Sequence, residues 1–344
     1  MSSITEKYKA GIIGWDIGGV NLKAVRVGDG GILVSRSAPY EIQRAPTELS
    51  VRLDELARKV GREPGDRHAI TMTAELSQLF RSKREGVNRI LDAVLQSISE
   101  AKVRIFATDG RFLSVEEARH DPLLVAASNW AATARLVARI APDAILIDIG
   151  STTTDIIPIV RGKVAAAGMT DPDRLCSGEL VYTGVVRSPV ESFATTVPLK
   201  GQDAFLSAEG FALAGDVWMT LGQLRDGDYA TATPDGRPRT IEFARERLAR
   251  VVCADPEMLD EAAIMAIAQS LANSQRERVQ AGLRRVTSKW PALKTAVVTG
   301  LGAFLAADAA HHEGLEVSQL ANQLGAEASR TAPAAAVALL FGAA

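Results

Sequence analysis

A short sequence motif occurs twice in the chain. Its two aspartates, Asp16 and Asp148, are 132 residues apart. The first copy covers residues 14–21 and the second covers residues 146–153. Each copy is an apolar strand that ends in Asp-Ile-Gly, continues through small and polar residues, and leads into a predicted β-hairpin. Because the two halves of the chain begin with the same motif, we expect them to fold into two similar lobes. This expectation limits the choice of folds more than any other feature of the sequence.

The residue types of these two loops suit the binding of phosphate groups and a magnesium ion. Gly18 and Gly150 let the backbone turn tightly and bring its N–H groups close to a ligand. Asp16 and Asp148 are predicted to position Mg²⁺ partly through water, because this ion takes a few carboxylates together with waters and phosphate oxygens. The predicted diphosphate-binding residues are Gly18, Gly19, Asn21, Lys23, Gly150, Ser151, Thr152 and Thr153. The alternatives are an ordinary hairpin turn for each loop and a solvated strand position for Lys23.

Strand-like and helix-like segments alternate along the first part of the chain, which is typical of an α/β fold. The predicted strands are residues 11–17, 22–27, 32–42, 68–73 and 103–107, and the predicted helices are 47–60, 84–101 and 122–140. The last of these helices is opened by Asp121 and Pro122, a capping residue followed by proline at the first helical position. We expect residues 1–140 to form the first lobe, joined by a C-terminal helix at 333–344.

The same pattern begins again in the second half of the chain. The predicted strands are residues 144–149, 155–160, 164–167 and 293–298, and a helix at 303–310 follows the last of them. Asp255 and Pro256 are predicted to open a capped helix that runs past Arg284. We expect residues 141–332 to form the second lobe, with an irregular insertion at about 170–240 that is rich in Gly, Pro, Asp and Thr.

The composition excludes several classes of protein. Hydrophobic residues make up 47% of the 344 residues and charged residues 23%, which is ordinary for a globular protein and rules out a disordered chain. The 39 Lys and Arg balance the 41 Asp and Glu, and aromatic residues are only 5%, so nothing favours a nucleic acid. Cys176 and Cys253 form no ligand or disulfide pattern. The sequence shows neither an apolar leader nor a membrane-spanning segment, so we expect a cytoplasmic protein. We expect it to be a monomer or homodimer that binds small molecules and does not bind nucleic acid or membranes.

The two loops together resemble those of the acetate kinase/sugar kinase/Hsp70/actin superfamily, in which each of two ribonuclease-H-like lobes begins with such a loop. The resemblance implies an α/β fold of two ribonuclease-H-like lobes around a central cleft. It also implies a glycine-rich turn near the nucleoside after a late strand, and Gly300 and Gly302 stand at that place as predicted phosphate-binding residues. ATP or ADP is accordingly an expected ligand of the superfamily.

A closer resemblance covers most of the chain. The strings GWDIGGVNLKA, KREGV, FATDG, ASNWAA, IDIGSTTTDIIPI, SGELVYTGVVRSPV and VVCAD are similar to those of hydantoinase/oxoprolinase-related proteins linked to tetrahydromethanopterin-dependent one-carbon metabolism. The strings at 83–87 and 177–190 are typical of this group rather than of the superfamily. The resemblance implies a Mg²⁺-dependent transferase of methanofuran-type cofactor biosynthesis, for which ATP is not required. It would join γ-glutamyltyramine, or a tyrosine-derived analogue, to aminomethylfuran diphosphate and release diphosphate.

Two other functions use the same predicted cleft and stay open as alternatives. One is an ATP-dependent small-molecule kinase of the superfamily, which would hydrolyse ATP or release ADP. The other is a non-catalytic nucleotide-binding protein, which would bind a partner or assemble without turning over a small molecule.

Several further side chains are candidates for proton transfer or substrate binding. Asp216 is expected to face the cleft as a metal-shell residue or as the base for the phenol proton, with a helix cap as the alternative. Glu179 is expected to bind a substrate amine and Glu75 is a weaker candidate base, with a solvated loop and a helix entry as their alternatives. The remaining substrate-binding candidates are Lys83 and Arg84 in a basic helix start, Asp109 beyond the carboxyl end of a strand, and Asn129 in a helix.

Overall fold

The computed structural model describes residues 11–225 and 227–343, and the chain divides into two compact units. The first unit comprises the residues up to Ile140 together with those from Leu320 onward, and the second is Ala141–Gln319. Each unit has one main sheet that combines parallel and antiparallel strands, with helices packed on it. The prediction of an α/β fold is therefore confirmed.

Strands and helices alternate along both units. The strands are β1 (Ile12–Ile17), β2 (Asn21–Gly28), β3 (Gly31–Pro39), β4 (Arg67–Met72), β5 (Val103–Phe106), β6 (Phe112–Leu113), β7 (Ala144–Ile149), β8 (Thr154–Val160), β9 (Lys163–Val164), β10 (Leu180–Val181), β11 (Thr196–Leu199), β12 (Gln202–Phe205), β13 (Thr295–Thr299) and β14 (Glu316–Gln319). The helices are α1 (Leu49–Lys59), α2 (Lys83–Ser97), α3 (Val115–His120), α4 (Pro122–Val125), α5 (Asn129–Ile140), α6 (Asp171–Ser177), α7 (Ala214–Thr220), α8 (Ile241–Arg250), α9 (Glu261–Lys289), α10 (Ala303–His312), α11 (Ala321–Leu324), α12 (Ala326–Arg330) and α13 (Ala332–Gly342). Across residues 11–225 and 227–343, none of the helices combines the length and apolar character needed to cross a membrane.

β1 lies in the middle of the first unit's sheet, whose strand order is β3-β2-β1-β4-β5-β6. Its residues Ile13, Trp15 and Ile17 belong to one apolar core with buried side chains of α1 and α2, and burial of each such side chain contributes about 1.5–3 kcal/mol. On the other face, Gly14 lies against α13, and a Cβ there would stand 2.0 Å from the carbonyl oxygen of Ala334. The absence of a side chain at Gly14 therefore lets α13 lie directly against β1.

β7 has the same surroundings in the second unit as β1 has in the first. The strand order of its sheet is β10-β8-β7-β13-β14, and β7 pairs antiparallel with β8 and parallel with β13. Ile17 lies opposite Leu22 in the first hairpin, and Ile149 lies opposite Thr154 in the second. The repeated sequence thus folds into a repeated structure, in which a central strand is followed by a two-residue turn and an antiparallel return strand.

The helix predicted over 122–140 is interrupted, and α4 and α5 take its place. Ala126 forms a parallel bridge with Met72 at the end of β4, and Ala127 has a φ of 50°, which no α-helix continues. The hydroxyl of Ser128 donates to the carbonyl oxygen of Phe106 at 2.8 Å. These contacts with neighbouring strands draw the chain out of the helical conformation, and the local capping pattern does not reveal them.

The helix predicted to open at Asp255 begins six residues later. The side chain of Asp260 accepts a hydrogen bond from the Ala263 N–H at 2.8 Å and so caps α9. Asp255 instead accepts from the N–H groups of Glu257 and Met258 in a turn. The insertion predicted to be irregular also contains regular elements, from α6 to α7, including the two-stranded β11–β12 hairpin.

His68 in β4 makes the stability of the first unit depend on pH. The ring is buried, and its Nδ1 accepts a hydrogen bond from Trp15 Nε1 at 3.0 Å. Burial, with a smaller effect of Arg62, lowers the pKa of His68 from 6.5 to about 4. Because the unfolded chain binds a proton where the folded protein does not, this contribution to stability is complete above pH 6.5 and is lost as the pH falls towards 4. A shift of this size corresponds to about 3 kcal/mol.

The free energy of unfolding, measured by urea titration, should therefore fall more steeply in the wild type than in His68→Gln between pH 6.5 and 4.5. The glutamine does not titrate, and its amide oxygen can still accept the hydrogen bond from Trp15. We expect the two proteins to diverge by about 2 kcal/mol over this range. If the pH profiles of the two proteins were parallel, His68 would bind its proton equally well in the folded and unfolded states, and burial would not lower its pKa.

Candidate active site

The first loop joins β1 to β2 through a two-residue turn. The Gly18 N–H donates to the carbonyl oxygen of Asn21 at 3.0 Å, and Gly19 and Val20 form the turn. The carbonyl oxygens of these two residues accept hydrogen bonds from the N–H groups of Ile42 and Tyr40, each at 3.0 Å. The segment after β3 therefore fixes the orientation of the loop's peptide groups.

Asp16 stands beside this loop with one carboxylate oxygen engaged and one without a protein partner. Its side chain is buried, and Oδ2 accepts a hydrogen bond from Lys23 Nζ at 3.0 Å. Within the described part of the chain, Oδ1 is buried and has no hydrogen-bond partner. A buried carboxylate oxygen left in this condition is costly, so the arrangement is typical of a position that a cation or a ligand completes.

The second loop joins β7 to β8 in the same way. The Gly150 N–H donates to the carbonyl oxygen of Thr153 at 2.9 Å, and Ser151 and Thr152 form the turn. The carbonyl oxygen of Gly150 accepts from the Val185 N–H at 3.1 Å. The carbonyl oxygen of Ser151 accepts from the N–H groups of Val186 and Arg187, at 3.1 and 2.9 Å. We call residues 183–188, which hold these carbonyls, the brace segment.

The brace segment directs two N–H groups of the second loop to the opposite side. A trans peptide group points its C=O and its N–H in opposite directions. Because the carbonyls of Gly150 and Ser151 point at the brace segment, the N–H groups of Ser151 and Thr152 point away from it. Neither N–H has a backbone partner among the residues that the structure describes. Two adjacent N–H groups that point the same way form an anion-binding site.

Close packing holds the brace segment against the loop. A Cβ on Gly184 would stand 2.4 Å from the backbone nitrogen of Thr152, so only glycine allows this approach. The Thr154 hydroxyl donates to the carbonyl oxygen of Thr183 at 2.7 Å, and Ser188 Oγ accepts from the Gly184 N–H at 2.9 Å. The string at 177–190 thus includes the segment that orients the second loop.

Gln275 of α9 connects the brace segment to the core of the second unit. This side chain is fully buried, and its Nε2 donates to Thr183 Oγ1 at 2.8 Å and to the carbonyl oxygen of Gly184 at 2.9 Å. Its Oε1 accepts a hydrogen bond from Trp218 Nε1 at 2.6 Å. No sequence pattern indicates this role, because Gln275 lies inside a long helix and its partners are distant in the chain.

Gln275→Ala should raise the KM for a substrate bound at the second loop about tenfold and lower kcat, because lost hydrogen bonds let the brace segment and the second loop shift. Steady-state kinetics over a range of substrate concentrations measures both constants. Gln269→Ala is the matched control, since Gln269 is exposed on the same helix and its side chain bonds, among the residues described, only to Asn273. A loss of thermal stability in Gln275→Ala with unchanged KM and kcat would contradict a positioning role.

Gly300 brings the third glycine-rich segment against Asp148. Thr299 is the parallel neighbour of Asp148 between β13 and β7, and Gly300 has a φ of 88°, which favours glycine. A Cβ on Gly300 would stand 2.4 Å from Asp148 Oδ1, and the Gly302 N–H donates to the carbonyl oxygen of Ile149 at 2.8 Å. The structure therefore brings together Asp148, the second loop and the predicted Gly300–Gly302 turn within the second unit.

Asp216, predicted to be a metal-shell residue or a base, is fully buried in α7 and bonded through both carboxylate oxygens. Oδ1 accepts from Arg247 at 2.7 and 2.9 Å, and Oδ2 accepts from the Leu213 N–H at 2.9 Å and the Tyr229 hydroxyl at 3.3 Å. Burial raises the pKa of Asp216, although the hydrogen bonds from Arg247 oppose this shift. These contacts correspond to the alternative, a structural carboxylate that caps the helix start, because no oxygen is left for a metal ion or a phenol.

Glu179, predicted to bind an amine, likewise lies in a structural network. Its side chain is buried and accepts hydrogen bonds from the N–H groups of Ala167 and Gly168, at 2.6 and 3.0 Å, and from Ser177 Oγ at 2.9 Å. The solvated loop position considered as its alternative is also wrong. Glu179 orders the chain between β9 and α6, and its oxygens are already occupied.

The candidates of the first unit lie near the ends of different elements. Glu75 is buried in a 3₁₀ turn, Ala74–Leu76, after β4, and the neighbouring Ala74 Cα lies 3.9 Å from where a Cβ on Gly19 would stand. Lys83 and Arg84 occupy the first turn of α2, which Ser82 caps. Asp109 pairs with Arg111 at 2.7 Å in a turn after β5, and Asn129 begins α5 half-buried. The packing of Ala74 near Gly19 places Glu75 one residue away from a contact with the first loop.

A metal site built from protein side chains alone is not found in the described residues. Over 11–225 and 227–343, no group of three or more His, Cys, Asp or Glu side chains could hold an ion. Mg²⁺ commonly uses only one or two carboxylates and keeps several waters. The fit to this ion is therefore a matter for each carboxylate separately, and the buried, unpartnered Oδ1 of Asp16 suits a cation.

Known proteins are similar to this chain over most of its length. The profile of the hydantoinase/oxoprolinase family matches residues 66–342. A protein of Methanocaldococcus jannaschii, named (4-{4-[2-(gamma-L-glutamylamino)ethyl]phenoxymethyl}furan-2-yl)methanamine synthase, is 36% identical over 334 residues, which cover 96% of this chain and 97% of that protein. A protein of the same name from Methanococcus vannielii is 32% identical over 201 residues, which cover 57% of this chain and 90% of that protein.

Solved structures of low sequence identity share the fold. Component A of the (R)-2-hydroxyglutaryl-CoA dehydratase of Acidaminococcus fermentans has a TM-score of 0.50 at 13% identity, covering 96% of this chain and 97% of that one. A nucleotide-free acetone carboxylase structure has a TM-score of 0.54 at 12% identity, covering 96% of this chain and 70% of that one. These likenesses confirm the fold class predicted from the two loops, and at such identity they concern the fold alone.

Proposed function

The chain belongs to the hydantoinase/oxoprolinase family, and from this premise we propose that it is a transferase of methanofuran-type cofactor biosynthesis. In the proposed reaction, γ-glutamyltyramine or a tyrosine-derived analogue condenses with aminomethylfuran diphosphate. The name of the Methanocaldococcus jannaschii relative describes a product in which a phenol oxygen is bonded to the methyl carbon on a furan ring. The likeness to that protein over nearly the whole chain supports the same type of condensation here.

The structural observation that carries the proposal is the pair of loops built to receive an anion, one in each unit. In the second loop the N–H groups of Ser151 and Thr152 point away from the brace segment and have no backbone partner in the described chain. In the first loop Lys23 places an ammonium group beside the turn, 3.0 Å from Asp16. Each loop of this kind suits a phosphate group of a diphosphate substrate.

The chemistry of the proposed step requires such loops. The phenol oxygen forms a bond to the furfuryl carbon, the bond from that carbon to the diphosphate oxygen breaks, and diphosphate and the phenol proton are released. The electron-rich furan stabilises positive charge on the carbon, so the demanding part is the negative charge that builds up on diphosphate. N–H groups held in place before the reaction stabilise that charge, and loss of one such donor typically lowers kcat about 100- to 1,000-fold.

Mg²⁺ is part of the proposal because carboxylates stand where the two central strands end. Asp16, with its buried and unpartnered Oδ1, and Asp148, its counterpart in the second unit, would hold the ion, partly through water. When bound, Mg²⁺ supplies positive charge that helps to neutralise the diphosphate. Lys23 and the loop N–H groups would bind the remaining phosphate oxygens and orient the leaving group.

Glu75 is the carboxylate we propose as base for the phenol proton. Asp216 and Glu179 are held by Arg247 and by backbone N–H groups, so neither has an oxygen available for this task. Glu75 follows β4, and the residue before it packs near Gly19 of the first loop. A glutamate in this place would take the proton as the phenol oxygen forms its bond.

The test is the release of diphosphate from purified protein given Mg²⁺, γ-glutamyltyramine and aminomethylfuran diphosphate, with and without ATP. Mass spectrometry identifies the product, and tyramine and tyrosine serve as alternative acceptors. Diphosphate and a condensed ether formed without ATP would support the proposal. ADP formation that depends on ATP would instead assign the chain to the kinases of this fold, and bound ligand with no turnover would favour a nucleotide-binding protein.

A further inference from the structure

The two hairpins differ at one position that matters for phosphate binding. In the first hairpin, Lys23 lies directly opposite Asp16 across the β1–β2 pair. In the second hairpin, the residue opposite Asp148 is Asp155. The second loop therefore has two neighbouring carboxylates where the first has an ion pair, and its hairpin supplies no cation for a phosphate group.

The charge of Asp155 is balanced within the protein. Arg174 of α6 is almost fully buried and forms an ion pair with Asp155. The same guanidinium also lies 3.5 Å from Asp171, so it is buried between two carboxylates. Arg174 consequently cannot take the part that Lys23 has beside the first loop.

Arg187 in the brace segment is a cation that lies next to the second loop. The backbone N–H of Arg187 donates to the carbonyl oxygen of Ser151 at 2.9 Å, so the backbone of Arg187 is in direct contact with the turn. Its side chain is exposed and makes no hydrogen bond or ion pair within the described ranges. The packing of Gly184 on Thr152 and the Ser188 hydrogen bonds fix the backbone on which Arg187 stands.

We propose that Arg187 is a binding residue for the diphosphate group and supplies the positive charge that the second hairpin lacks. The inference rests on the proposed function, since it takes a diphosphate ester as the ligand of the two loops. An arginine suits this position because its planar guanidinium can donate two parallel hydrogen bonds to phosphate oxygens. The Ser151 and Thr152 N–H groups face the side of the turn opposite the brace segment, so the long, exposed Arg187 side chain would reach around the turn to bind the same phosphate.

Binding of inorganic diphosphate in the presence of Mg²⁺ tests this role directly. Isothermal titration calorimetry on the full chain should show that Arg187→Ala weakens the binding about 10- to 100-fold, as expected for a charge-assisted hydrogen-bonding pair. Arg187→Lys keeps the charge and loses the paired donors, so it should recover only part of the affinity. Arg285→Ala is the matched control, because Arg285 is exposed on α9 of the same unit and its side chain makes no hydrogen bond or ion pair in the described residues. It should bind like the wild type.

The kinetic constants provide a second readout. Arg187→Ala should raise the KM for the diphosphate substrate and leave the KM for the phenol unchanged. Wild-type affinity in Arg187→Ala, with turnover intact in the parent protein, would overturn the role of Arg187 and leave the proposed function in place. A wild-type protein that neither binds diphosphate nor forms the ether would overturn both.

Discussion

Gly300→Ala is expected to reduce turnover at least about 100-fold and to destabilise the second unit by about 2–4 kcal/mol. An added Cβ would stand 2.4 Å from Asp148 Oδ1 and equally close to the carbonyl oxygen of Ile149. The Ile149 carbonyl cannot yield easily, because Ile149 belongs to the central strand and this carbonyl accepts the Gly302 N–H. Alanine is also strained at a φ of 88°. Kinetics and urea unfolding measure the two effects.

Gly314→Ala is the matched control, because it introduces the backbone strain of alanine at a positive φ without a steric clash. Gly314 is in the same unit with a φ of 73°, and a Cβ there would meet nothing within 4 Å. We expect this variant to lose about 1 kcal/mol of stability and to keep full activity. If Gly300→Ala were no worse than this control, the close contact between the Gly300 turn and Asp148 would have no part in the activity.

Asp16→Asn and Asp148→Asn are each expected to lower turnover about 1,000-fold while the chain remains folded. Asparagine keeps the shape of the side chain and removes the negative charge that a divalent cation requires. In Asp16→Asn the hydrogen bond from Lys23 would lose its ionic character, which should cost about 1 kcal/mol of stability. Residual activity measured against Mg²⁺ concentration should reach half of its maximum only at a higher concentration than in the wild type.

Asp29→Asn is the matched control for this pair. Asp29 is exposed in the turn between β2 and β3, so loss of its charge should change neither turnover nor the Mg²⁺ requirement. Activity within a few-fold of the wild type in Asp16→Asn or Asp148→Asn would rule out that carboxylate as a metal ligand. Thermal unfolding of each variant establishes that any loss of activity is not a loss of fold.

Features that depend on neighbouring residues could be predicted from the sequence. The two hairpins around Gly18 and Gly150 are local structures, and the repeat of apolar strand, aspartate and glycine predicts both of them. The register of the two strand pairs is the same, with Ile17 opposite Leu22 and Ile149 opposite Thr154. Local sequence also placed the central strands β1 and β7, since each is a buried run that is apolar apart from its aspartate.

Roles that depend on distant partners could not be predicted. Asp216 looks like a free carboxylate in the sequence, but Arg247, 31 residues away, binds it in the core. Gln275 contacts Gly184, 91 residues earlier in the chain, and has no motif around it. The string at 177–190 is typical of one group of proteins, but the sequence does not explain why. Its residues hold the carbonyls of Gly150 and Ser151, and this contact is seen only in the folded chain.

The packing of α13 against β1 has a consequence for the order in which the protein matures on the ribosome. The strands of the first unit are synthesised first, yet the helix that covers Gly14 emerges only after the whole of Ala141–Gln319. The second unit is contiguous and can fold while synthesis continues, since domains generally fold as units. The first unit must wait with one face of its central strand uncovered. The face of β1 that carries Gly14 is therefore covered only after the second unit has been synthesised, although β1 leaves the ribosome first.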